Sequence, residues 1–90
     1  MNEAYSIQTW IRALDESVGS EHPRGLLIKV LRSMRNHSQL PMFQPSSPIR
    51  CGLWNAISGI EAALTEDELL DVKARTLIAS AVLLALLEVV

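Results

Sequence analysis

Residue types able to do chemistry are few and scattered in this 90-residue chain. His22, His37 and Cys51 are its only imidazole and thiol groups. The two histidines flank a helical segment and do not share one turn. With a single cysteine no zinc-ligand spacing is present, so surface or capping roles are expected for both histidines. Glu66, Asp67, Glu68 and Asp71 form an acidic cluster. General acid–base work needs two carboxylates in a cleft with different proton affinities. These four instead open a helix, where capping and the helix dipole already account for acidic residues. Cys51 stands beside Arg50 near a helix start, a setting that activates thiols. A small buried core residue is the expected role. No Ser/His/Asp order and no Gly-rich phosphate loop stands out. The sequence therefore predicts no catalytic residue, no metal site and no cofactor, and a chain that is not an enzyme.

Composition narrows the classes further. Ten acidic and eight basic residues leave a net charge of −2, and 49% of the chain is hydrophobic. That is too apolar for intrinsic disorder and not basic enough for an obvious nucleic-acid binder. One cysteine excludes an internal disulfide framework. Fourteen leucines and few β-branched runs favour helix over strand. The length suits one helical domain over 1–90. The N-terminal residues Met1, Asn2 and Glu3 are not a basic stretch leading into an apolar run, so a cytoplasmic location is expected.

Four helical segments must position whatever the chain uses. In the first, about Glu3 to Ser17, the residues Ile7, Ile11, Leu14 and Val18 make an apolar stripe with Trp10 beside it. Asn2 or Ser6 is the candidate N-cap, and Tyr5 with Trp10 would staple a helix capped by Ser6. Gly19 suits the C-cap. Asp15 and Glu16 oppose the dipole in the last turn, so a basic partner such as Arg12 or Arg24 is expected. The second segment runs from Glu21 or Pro23 to His37, capped by Ser20, with Pro23 in its first turn. Leu26, Leu27, Val30, Leu31 and Met34 form its apolar face. Arg24, Lys29, Arg32 and Arg35 lie on the other side, with Ile28 among them.

Pro41, Pro45 and Pro48 forbid a continuous helix through Gln39–Pro48. Leu40, Met42 and Phe43 in that loop should pack onto the core. The third helix should start with Ser47 as N-cap and Pro48 at its first position. Leu53, Ile57, Ile60 and Leu64 form one stripe, and Gly52, Ala56, Gly59 and Ala63 another. Two glycines inside a helix cost about 1 kcal/mol each, so another backbone should approach closely there. Trp54 is expected to anchor the core. For the fourth helix, Thr65 and Glu68 make a capping box and Leu64 with Leu69 a staple. Asp71 and Arg75 are spaced to pair.

From Leu77 to the end the chain is almost wholly apolar. Fourteen residues of helix span about 21 Å, short of the roughly 30 Å of a bilayer core, so no membrane span is expected. A helix over 66–90 would be about 37 Å long, against roughly 20–24 Å for the others. Three shorter helices cannot cover it. A line of Lys73, Thr76 and Ser80 running into Leu83 and Leu87 suggests that a partner covers that seam.

The expected fold is all-α: a four-helix bundle or compact orthogonal array, with a Pro-rich loop between helices two and three and a long apolar C-terminal helix. The expected function is a protein–protein interaction module: a small adaptor, inhibitor or secretion-type chaperone, of a kind that bacteria or phages encode. Its surfaces would be the apolar seam of Ser80, Leu83, Leu84 and Leu87 and the basic face of Arg24, Ile28, Lys29, Arg32 and Arg35. The partner would be a protein, acidic where it meets the basic face, and the chain a homodimer or heterodimer. The alternative is a dimeric DNA-binding transcriptional regulator that sets the same basic face against nucleic acid.

Overall fold

A computed structural model describes residues 3–38 and 48–89. They form α1 (Glu3–Val18), α2 (Pro23–Ser38), α3 (Pro48–Leu64) and α4 (Leu69–Leu87). The all-α, four-helix expectation holds, with no strand among the described residues. The candidate caps Asn2 and Ser47 and the loop residues Leu40, Met42 and Phe43 lie outside the described residues.

The helices stand at the corners of a square. α1 packs on α2 and α4, and α3 packs on the same two, so α2 and α4 are diagonal. The array measures 36 × 19 × 19 Å. One apolar cluster fills the centre. Ile7, Trp10 and Leu14 enter it from α1, and Leu27, Val30, Leu31 and Met34 from α2. Leu53, Ile57 and Ile60 enter from α3, and Val72, Ala79, Leu83 and Leu86 from α4. The α1 stripe is centred on Trp10, with Ile11 and Val18 only half-buried. Two buried hydroxyls bond within their own helices: Ser17 donates to the Leu14 carbonyl and Thr76 to that of Val72, both at 2.7 Å. This satisfies them without a cross-chain partner.

The glycine stripe of α3 faces α4 as expected, but close approach is found only at Gly52, and there it is a side chain and not a backbone that comes near. A Cβ on Gly52 would stand 2.8 Å from a methyl of Leu86, and one on Gly59 would stand 3.5 Å from the Ala79 Cβ.

Several local expectations fail. Ser6 is buried inside α1, which has already begun at Glu3, so it is no cap. Gly19 does stand at the expected C-cap position directly after α1, its N–H bonded to the Asp15 carbonyl, but it does so without a positive φ. The Asp15 carboxylate accepts from the Ser80 hydroxyl at 3.3 Å, not from arginine. Ser20 accepts from the His22 N–H, two residues on, and so shapes the turn before α2.

The capping box at Thr65 does not form. Thr65 instead closes α3: its hydroxyl and its N–H both bond to the Ala62 carbonyl. The Glu66 N–H follows to Ala63. With those groups committed backwards, α4 begins only at Leu69, and Glu68 makes no side-chain cap. Arg24 reaches across from α2 and donates to the Glu66 carbonyl at 2.6 Å. Arg75 pairs with the Glu66 carboxylate at 2.6 Å, in place of the expected Asp71. Two arginines thus hold a turn over 65–68 that local sequence reads as helix.

Candidate interaction surfaces

α4 is 19 residues, about 28 Å, close to the 16, 16 and 17 of its neighbours. The overhang expected at its end is therefore nearly absent. Its exposed apolar surface is lateral instead. Because α4 sits at a corner, α1 and α3 cover only the arc carrying Val72, Thr76, Ala79, Ser80, Leu83 and Leu86.

This corrects the expected seam. Leu83 is fully buried and Ser80 is buried beside Asp15, so neither is available to a partner. Leu87 is half-buried and packs against the core. Leu84 alone of the four is exposed. The outer face of α4 carries Leu70, Leu77, Ile78 and Leu84, exposed by 81, 51, 61 and 55%. Ala74, Ala81 and Ala85 lie between them and are also exposed. Leu70, Leu77 and Leu84 recur every seven residues, and Ala74 and Ala81 fill the alternate positions of the same stripe. These seven side chains expose roughly 600 Å², the upper end for the largest apolar patch of a monomer. The seven-residue spacing was available in the sequence. It was masked because the inner face of α4 is equally apolar.

A groove of about 410 Å³ runs beside this stripe, between α1 and α4. Ile11, Leu84 and Leu87 give it an apolar side, and Gln8, Arg12 and Asp15 a polar one.

On the diagonally opposite corner, α2 exposes Arg24, Ile28, Lys29, Arg32 and Arg35, as expected. They are not equally free. Arg35 pairs with Glu61 of α3 at 2.7 Å, and Arg24 is held on the 65–68 turn. Lys29 and Arg32 form no ion pair among the described residues. Ile28 and Leu31 lie with Arg32, Arg35 and Asn36 around a notch of about 190 Å³.

The groups considered for chemistry stay apart. His22 is exposed. The His37 ring is half-buried, donates from Nδ1 to the Ser33 carbonyl at 2.8 Å and stands edge-on to Trp10 at 5.2 Å. Trp10 donates to the Ser33 hydroxyl at 3.0 Å. Cys51 is exposed on the first turn of α3, not buried as expected. Among the described residues no three His, Cys, Asp or Glu side chains group to hold a metal. Trp54 is 40% exposed, so the tryptophan that anchors the core is Trp10 and not Trp54. Trp54 lies two residues from the Gly52 stripe, on the far side of α3. No helix among the described residues is long and apolar enough to cross a membrane.

Comparison with protein-family models, curated proteins and solved structures finds no match to this chain.

Proposed function

We propose that this chain is a non-enzymatic protein-interaction module in the manner of a small adaptor, inhibitor or chaperone. Its principal surface is the outer face of α4, and its second is the basic face of α2. The observation that carries this reading is the stripe of Leu70, Leu77, Ile78 and Leu84, left exposed although the core is complete without it. Burying such a face supplies affinity at about 25 cal/mol per Å² before the costs of association. The α2 face adds selection. Lys29 and Arg32 flank exposed Ile28, which suits an acidic partner that also offers an apolar side chain. Arg24 and Arg35 are already committed within the chain, which leaves few cations to track a phosphate backbone.

The test is capture of partners by the wild type and by a Leu77→Glu, Leu84→Glu double variant of unchanged helicity. Both positions are exposed, so the variant is expected to fold and to lose the partner. A folded variant that retains every partner would remove α4 from the function. A Lys29→Glu, Arg32→Glu variant is expected to slow association and flatten its salt dependence.

A further inference from the structure

The occupant of the α4 face follows from the pattern of large and small residues along it. We infer that this face pairs with the same face of a second copy, antiparallel about a two-fold axis, so that the dimer carries two basic α2 faces on opposite outer sides. This rests on the reading of α4 as an interaction surface and names its partner.

Three observations select a second copy. The first is periodicity. Leu70, Leu77 and Leu84 at seven-residue spacing, with Ala74 and Ala81 between, make a straight seam along one side of a helix. An irregular partner surface does not require that regularity; another helix does. The second is charge. Between Asp71 and Glu88 the only charged side chains are those of Lys73, which is half-buried near the start of the helix, and Arg75, which is turned to Glu66 at 2.6 Å. Self-apposition therefore buries no pair of like charges along the central turns. The third is area. Roughly 600 Å² from each copy allows at most about 1,200 Å² in total, which reaches the lower limit for a specific stable interface when the whole face is covered.

Packing chooses the direction. In a parallel, in-register pair each leucine meets a leucine and each alanine an alanine, leaving gaps at the alanine layers. In an antiparallel pair Leu77 lies against the partner's Ala81 and Leu84 against the partner's Ala74. Large then meets small in the four layers between Ala74 and Leu84, as close packing requires, and Leu70 lies at each end beside the partner's Glu88. The antiparallel arrangement also opposes the two helix dipoles. The diagonal placement of α2 and α4 completes the picture, because nothing on the α2 face is covered when α4 pairs.

The test uses the full chain. Light scattering over a micromolar concentration series should give twice the chain mass. The Leu77→Glu, Leu84→Glu variant should show a two-fold fall in mass with helicity kept. For direction, a Cys51→Ser chain carrying Leu77→Cys is mixed with one carrying Ala81→Cys and oxidised. A mixed disulfide is expected, while Leu70→Cys alone should give none, because antiparallel pairing sets the two copies of that position far apart. Efficient cross-linking of Leu70→Cys would overturn the antiparallel arrangement. A wild type of single-chain mass throughout would overturn self-pairing. In that event the interaction reading stands only if capture of a different protein is still lost in the double-Glu variant. Should that variant unfold, Leu77→Ser with Leu84→Gln and the disulfide mixture decide the matter in its place.

Discussion

α2 and α4 occupy opposite corners of one square and solve burial differently. α2 separates its residues by type: Leu27, Val30, Leu31 and Met34 point inward, while Arg24, Lys29, Arg32 and Arg35 point out. α4 is apolar on both sides. Leu83 and Leu84 are neighbours of the same type, one fully buried and one 55% exposed. The contrast shows that amphipathic patterning specifies a face only when the other face is polar. On α4 the neighbours α1 and α3 decide.

The sharpest way to break this comparison is to truncate adjacent leucines. Leu83→Ala should cost about 2–5 kcal/mol through lost burial and the cavity left behind. Leu84→Ala should cost about 1 kcal/mol or less in dilute solution, where self-association contributes least. Chemical unfolding of both variants checks this, and equal losses would mean that the two faces of α4 are misassigned.

The next effect probes how α4 is held on its inner side. Gly59→Ala gains about 1 kcal/mol of helix propensity and meets only ordinary contact with Ala79. Gly52→Ala gains the same propensity but drives a Cβ into Leu86, an overpacking cost of about 1–3 kcal/mol. The Gly59 variant should melt above wild type and the Gly52 variant at or below it. Two stabilised variants would show that Leu86 moves aside freely.

A smaller effect separates the two tryptophans. Trp10→Phe removes the bond to Ser33 and should cost about 1 kcal/mol or somewhat more, with the lost ring volume. Trp54→Phe should leave the unfolding midpoint nearly unchanged. A soluble quencher should reach Trp54 fluorescence in the Trp10→Phe protein and be held back from Trp10 in the converse variant.

The smallest effect lies on α2. The Arg35–Glu61 pair is about half exposed on both sides, so Arg35→Ala should lower stability by less than about 1 kcal/mol, and less again in high salt. A larger, salt-independent loss would mean that the Arg35 stem is part of the α2–α3 packing.

Much of this architecture is legible along the chain, for reasons specific to each element. α2 reads correctly because its polar and apolar residues divide at the helical period. α3 reads correctly as to direction, because its stripe of small residues faces α4, although only Gly52 meets a tight neighbour there and Gly59 does not. Reading fails where two local signals compete. Thr65 can open α4 or close α3, and its own sequence does not choose. Arg24, forty-two residues away in the chain, holds the Glu66 carbonyl and settles the turn. Trp54 fails likewise: a large ring near a stripe of small residues lies on the side of α3 that no helix covers.

By itself the sequence determined the four helices, their apolar faces wherever polar residues mark the opposite side, the small-residue face of α3, and the basic surface of α2. These follow from periodicity and backbone preference, which act within a few residues. Only the tertiary structure decided which half of α4 is core, where α4 begins, and which cations of α2 are free. Each of those depends on a neighbour distant in the chain, and burial is a property of the neighbour's position as much as of the side chain itself.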